Sequence, residues 1–368
     1  LRSSNIVEGN FCIFDNDIFV NEKSVNIPFA HNKDILITAA NGSTNLVGKH
    51  CLINISNEEK FVHGGFMLIA KSSEPEFLHY SMFSDWYRRF LRVGTTGGNG
   101  AICNLNKTEL AKNKIFVSKY KCEKTKLSNL FVNLDNNIKT LHKKIASLKQ
   151  LKSACLISMF PQQGETVPRV RFKGFDGEWK KVKLSNCLEI SKDINSVNVY
   201  GKEDVLSVSD EMGVMNQIKL LGRSYAGKSV SKYKILKPHQ IVYTKSPLKD
   251  KPYGIIKENC GETGIVSVLY AVFNTKENVD PTYIHYYFEP KFRINKYLYP
   301  LVNKGAKNTM NISDDTTLDG FVYIPSSEAE QHQIASYFRN LDIQISEQEK
   351  RLEKLKQIKA ACLDKMFV

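Results

Sequence analysis

Residues 148–156 read LKQLKSACL, and residues 355–363 near the carboxyl end read LKQIKAACL. The two stretches lie 207 positions apart, and the match extends without a gap: Glu123–Phe160 and Glu330–Phe367 agree at 16 of 38 positions. Phe131, Asn133, Leu134, Asp135 and Ile138 fall on Phe338, Asn340, Leu341, Asp342 and Ile345. Self-similarity at a fixed period is the mark of a duplicated structural unit. Upstream the match is fainter. Ile115–Phe116–Val117 faces Val322–Tyr323–Ile324, and Gly98, Asn104 and Leu105 face Gly305, Asn311 and Ile312. With one residue slipped, FLHY (77–80) faces YIHY (283–286), and DILIT (34–38) resembles QIVYT (240–244). The chain is thus two copies of one unit, each a globular part followed by a helix.

The repeated ends carry a heptad seam. Leu127, Phe131, Leu134, Ile138, Leu141, Ile145, Leu148, Cys155 and Met159 step by four and three, with Lys152 in the one gap. The second copy gives Ile334, Phe338, Leu341, Ile345, Leu352, Leu355, Cys362 and Met366, broken by Gln348 and Lys359. No proline interrupts either helix, and Pro161 stops the first. At about 1.5 Å per residue each helix is ~50 Å long. Alone, such a stripe would expose its apolar side chains to water; two in one chain can bury each other. Since the chain must return between them, an antiparallel pair is expected.

Between the helices the pattern is mixed. DILIT, KIFV (114–117) and IVSVLYAVF (265–273) look like strands, and 76–91 and 281–298 like helices. The expected class is α+β with a curved sheet: two globular domains joined by two long antiparallel helices. The boundaries are 1–122 for the first domain, 123–160 for the first helix, 161–167 for a linker, 168–325 for the second domain and 326–368 for the second helix. The second copy opens with VPRVRFKGFDGEWKKVKLSN (167–186), which has no counterpart in the first. Counting back from Leu206 to Pro168, about 38 residues are wanting there, so either the chain is truncated or its first domain is naturally short.

At 368 residues two domains are expected. The composition, 42% hydrophobic and 24% charged, excludes a collagen-like or mostly disordered chain. No apolar run approaches the ~20 residues of a membrane span, and the amino end has no signal-peptide core. Eight cysteines lack zinc-like spacing and read as reduced thiols of a cytoplasmic protein. No metal site or cofactor is expected. The net charge of +14 favours a polyanion, and nucleic acid is the usual one. No catalytic constellation stands out: the Glu58–Glu59–Lys60 run lacks a nuclease's Pro-Asp, and Glu347 and Glu349 sit on a solvated helix face.

The polar loops after the strand-like runs are the candidate DNA contacts. The first copy offers Asn41, Ser43, Thr44, Lys49, Thr95, Thr96 and Asn99. The second offers Arg223, Lys228, Lys245, Ser246, Lys249, Lys251, Tyr253, Lys304, Lys307 and Asn308. These residue types bond phosphates and base edges. GTTGGNGA (94–101) resembles a phosphate cradle, but lacks the Gly-Lys-Ser/Thr ending. On the helices the candidate positions are those of the heptad seam: Phe131, Leu134, Ile138, Ile145, Leu148, Phe338, Leu341, Ile345, Leu352 and Leu355.

Together these features resemble the specificity subunit of type I restriction-modification enzymes. The resemblance is carried by Val167–Pro168, Arg171–Phe172 and Phe175–Asp176–Gly177–Glu178–Trp179. It continues in Ile324–Pro325, Glu330–Gln331, Ile334–Ala335, Leu341–Asp342, Leu355–Lys356 and Met366–Phe367. It spans nearly the whole chain, closely in the second half; the first half lacks the opening segment and has Ser118 in place of Pro325. The resemblance implies two target recognition domains that read the halves of a bipartite, asymmetric double-stranded DNA sequence. It also implies helices that space them and dock two methyltransferase subunits, a motor-nuclease subunit that joins for cleavage, and no catalytic site in the chain itself. A rival reading is a coiled-coil scaffold that binds only protein; it would not need the charge.

Overall fold

The computed structural model describes residues 1–55, 59–96, 103–227, 229–304 and 310–367. The chain divides into two compact units: Leu1–Lys143 with Gln348–Val368, and Lys144–Glu347. Both mix strands and helices, as the sequence pattern requires.

In the first unit a five-stranded sheet holds an inner strand, Ile35–Thr38, the central one of three, paired antiparallel with His50–Leu52 and with Met67–Ala70. All four residues of the central strand are buried, because both faces are covered. Ile35 and Ile37 point into one cluster with Val47, Met82, Tyr87 and Leu105, while Leu36 points to the other with Cys51, Ile53 and Met67. Helices Pro75–Ser81 and Asp85–Gly94 follow; the first has proline in its opening turn, where no amide bond is lost.

The second unit repeats this frame. Ile241–Tyr243 is the central strand, flanked antiparallel by Ile256–Glu258 and Ala271–Thr275. Helices Pro281–Phe288 and Lys291–Leu298 follow. The opening segment of this copy adds two strands without a counterpart among the described residues of the first unit. Leu188–Ile190 extends the sheet beyond Ala271–Thr275, and Lys180–Lys183 pairs with Phe321–Ile324.

The long helices run Lys121–Ser158 and Glu328–Met366. Within each unit their segments pack antiparallel. In the first, Phe131 stacks on Phe367, centroids 5.6 Å apart. In the second, Phe160 stacks on Phe338 at 6.0 Å. Phe131, Leu134, Ile145, Phe338, Leu341 and Ile345 are buried, and Ile138, Leu148, Leu352 and Leu355 are half-buried. Met366 departs from the expected seam. It is exposed, and Leu363 and Phe367 are buried instead, because the aromatic residue beyond the helix end fills the space against Phe77 and Phe131.

Two strand expectations change. IVSVLYAVF splits into Gly264–Val266 and Ala271–Thr275, which belong to different sheets; the turn is closed by Tyr270 N–H donating to the Ser267 carbonyl. KIFV forms no strand, for no neighbouring strand pairs with it among the described residues. In place of one curved sheet, each unit holds several small ones. No helix among the described residues is long and apolar enough to cross a membrane.

Candidate nucleic-acid interface

Each unit carries one polar loop at the same place in its frame. The loop of the first unit leaves the central strand at Thr38, whose amide donates to the Lys49 carbonyl at 2.8 Å. The loop of the second leaves at Thr244, whose amide donates to the Ile255 carbonyl at 2.9 Å. Both close on a glycine with positive φ, Gly48 at 83° and Gly254 at 92°. A Cβ at Gly48 would enter the Leu91 side chain, and one at Gly254 would lie 1.9 Å from the Thr244 oxygen. So the same stem, built by the same kind of residues, presents two different tips. The sequence comparison missed this pair of glycines, although they stand at the slipped register of FLHY and YIHY.

On the first tip, Asn41 accepts the Ser43 amide at 2.9 Å, and Ser43, Thr44 and Lys49 are exposed. The structure therefore brings these four together on one loop. The strand Thr95–Thr96 pairs with Cys103–Leu105, which in turn pairs with Ala40–Asn41, so it lies in the same small sheet, one strand removed from the loop. Asn99 lies outside the described residues, as do Gly98 and Glu58.

The second tip is more sharply sorted. Lys249 is exposed, and Ser246 is half-buried. Tyr253 packs edge-on against Tyr299, while its carbonyl accepts the Tyr243 hydroxyl at 2.7 Å. Lys251, expected to reach phosphate, instead points inward at 5% exposure. Its ammonium donates to Asp210 at 2.5 Å and to the Glu289 carbonyl at 2.9 Å. Burying an ammonium is costly unless a carboxylate and further acceptors receive it, and these do. Lys245 is likewise engaged: with Lys234 it holds Asp314, at 2.7 and 2.5 Å. Burial alone would raise the Asp314 carboxyl, but the two lysines outweigh it and hold it below its ordinary value. Lys257 shares the Asp210 site, and burial pushes its ammonium down. Nothing local in the sequence marks these pairs, since the partners are distant along the chain.

Arg223 is exposed and lies over the Tyr225 ring, 4.6 Å from its centroid. Arg223 and Tyr225 offer a cation and a flat aromatic face at one point. Lys304 belongs to the short strand Asn303–Lys304, which pairs with Met310–Asn311; Lys228, Lys307 and Asn308 lie outside the described residues.

No protein-family model matches this sequence. No curated protein matches it either. Among solved structures, the chain is similar to the S subunit of the type I restriction-modification system from M. genitalium. The TM-score is 0.52 at 12% identity, over 93% of this chain and 84% of that one. The HsdS subunit from Thermoanaerobacter tengcongensis matches with a TM-score of 0.44 at 14% identity, over 92% and 81%. The fold of this chain is that of a type I restriction-modification S subunit.

Proposed function

We propose that the chain reads double-stranded DNA as the specificity subunit of a cytoplasmic type I restriction-modification complex, each unit reading one half of a bipartite, asymmetric target. The observation that carries this reading is the pair of loops on equivalent stems. One tip offers Asn41, Ser43 and Thr44, the other Ser246 and Lys249. Neutral amides and hydroxyls suit base edges, and an exposed lysine suits phosphate or guanine. A duplicated frame with unlike tips gives two unlike half-sites. The net charge of +14 supplies the attraction to the duplex. Lys245 and Lys251 serve inside the fold, so the contacts fall to Asn41, Ser43, Thr44, Lys49, Arg223, Ser246 and Lys249. The helices dock two methyltransferase subunits, the motor-nuclease subunits join for cleavage, and the chain itself catalyses nothing and needs no cofactor.

The test is an assembly with the methyltransferase subunits, assayed for duplex binding from 50 to 200 mM salt and for its methylated motif by sequencing. Affinity should fall steeply, by roughly 10³–10⁵ for 6–10 phosphate contacts. The motif should consist of two unlike parts. A flat salt response, a single undivided motif, or methyl transfer by the chain alone would overturn the reading.

A further inference from the structure

Beside its polar loop the second unit carries an arm. Leu206–Ser209 pairs antiparallel with Gly213–Asn216, and the short helix Gln217–Leu221 follows. One face of this hairpin is anchored, for Leu206, Val208 and Val214 pack on the buried cluster of Leu236, Val242, Val266 and Val272. Its turn is tied to the loop through Asp210, which receives the Lys251 ammonium. Past the helix the chain turns back at Gly222, and Gln217 Oε1 accepts the Tyr225 amide at 2.6 Å. The segment so held presents the Tyr225 ring, 59% exposed, with the Arg223 guanidinium over one face.

The charge of this stretch is one-sided. From Met212 to Lys249 the sequence has eight Lys and Arg and no Asp or Glu. Lys234 and Lys245 are engaged by Asp314, and Lys237 by Asp193. Lys219, Arg223, Lys232 and Lys249 are exposed, and among the described residues no carboxylate pairs with them. Exposed apolar side chains stand among these cations: Met212, Ile218 and Leu221, besides Tyr225. The arm's two amides are engaged within it. Asn216 accepts the Ile218 and Lys219 amides and donates to the Glu203 carbonyl, while Gln217 bonds Ser207 and Tyr225. Free amides read adenine in the major groove, and the arm has none to offer. What remains is cations and an apolar ring. In the minor groove the base edges are degenerate, cations follow the negative potential, and an apolar wedge can open a base step.

We infer, resting on the DNA reading proposed above, that this arm enters the minor groove of the duplex with Tyr225 as a wedge at a base step and Arg223 beside it. The spacing agrees. Four strand residues at ~3.3 Å each carry the chain ~13 Å from the turn tied to Lys251 to the anchor of Tyr225, about the width of the major groove. Loop and arm thus grip one half-site from neighbouring grooves, and the second half-site is bent as it is read.

The probe is a duplex with the methylated motif, labelled at both ends and bound by the chain assembled with the methyltransferase subunits. Energy transfer between the ends should report a bend of roughly 20–90°. Tyr225→Ala should straighten the duplex and weaken binding about tenfold, with the slope of log affinity against log salt unchanged. Tyr225→Phe should keep both bend and affinity. Arg223→Ala should lower the salt slope by about 1. Adenine N3, which faces the minor groove, should be shielded from dimethyl sulfate by the unaltered chain and opened by Tyr225→Ala. Both residues are exposed, so the variants keep their fold. An equal bend and affinity with Tyr225→Ala would overturn the inference and leave the DNA reading standing. So would shielding confined to guanine N7, which would move the arm to the major groove. A Tyr225→Ala chain that binds the duplex normally but loses its methyltransferase subunits would overturn it too, by assigning the arm to a protein partner. Failure of the unaltered complex to bind any duplex would overturn both readings together.

Discussion

Lys152 of the first long helix donates to Asp342 of the second at 2.6 Å, and Lys359 donates to Asp135 at 2.5 Å. Each member of one pair stands 207 residues from its equivalent in the other, so the two ion pairs are one interaction made twice. A tyrosine completes each: Tyr286 donates to Asp342 at 2.8 Å, and Tyr80 to Asp135 at 2.9 Å. The lysines that break the heptad pattern are therefore partners of the repeat's aspartates, which fix the register of antiparallel helices.

Truncating the aromatic seam should weaken both units alike. Phe131 and Phe338 are equivalent and fully buried. Phe131→Ala and Phe338→Ala should each cost about 3–5 kcal/mol, measured by urea unfolding. Exposed Met366→Ala should stay within about 0.5 kcal/mol. An equal loss at Met366 would restore it to the seam.

Acid should destabilise the first unit through its buried imidazoles. His50 Nδ1 and His79 Nδ1 lie 3.2 Å apart, so one must donate and the other accept, both neutral. Burial pushes His50 down to about 4 and His79 well below its ordinary value. With folded values below the unfolded value of about 6.5, the unfolded chain binds more protons as pH falls. Stability is then complete above pH 6.5 and is lost progressively toward pH 4. Thermal unfolding between pH 7.5 and 4.5 should show this slope, and His79→Phe should flatten it.

Lys249 and Lys251 should separate in a salt titration of DNA binding. Lys249→Ala removes an exposed cation and should reduce the slope of log affinity against log salt by about 1. Lys251→Met leaves Asp210 with Lys257 and unties the loop, so it should lower affinity and stability with the slope unchanged. Asn41→Ala should instead relax one position of one half-site, by about 1–3 kcal/mol of discrimination. A loss of slope at Lys251 would return that residue to the phosphate contacts.

Lengthening the helices should change the spacing of the half-sites and neither half-site itself. Because each helix is held in register by Lys152–Asp342 and Lys359–Asp135, the insertion must be made in both. Four residues, about one turn and ~6 Å, placed after Ile145 and after Ile345 keep both pairs intact. Methylation-site sequencing should then report a longer gap between unchanged halves; an altered half-site would contradict the division of labour between loops and helices.

The repeat, the two helices and their buried faces were legible in the sequence because each is a matter of local period. Phe131, Leu134, Phe338 and Leu341 recur at helical spacing whatever they touch, and two copies of the pattern confirm one another. The central strands were legible for the same reason, as DILIT and QIVYT. Tertiary structure decided what depends on a distant partner. Lys249 and Lys251 are two residues apart in one loop, and only the placement of Asp210, 41 positions from Lys251, makes one an exposed cation and the other an internal tie. KIFV has the composition of a strand, but a strand exists only where another pairs with it, and among the described residues only its equivalent, Phe321–Ile324, has such a partner. Met366 has the spacing of the seam, yet Phe367 takes the place, because the end of a helix is set by what packs beyond it.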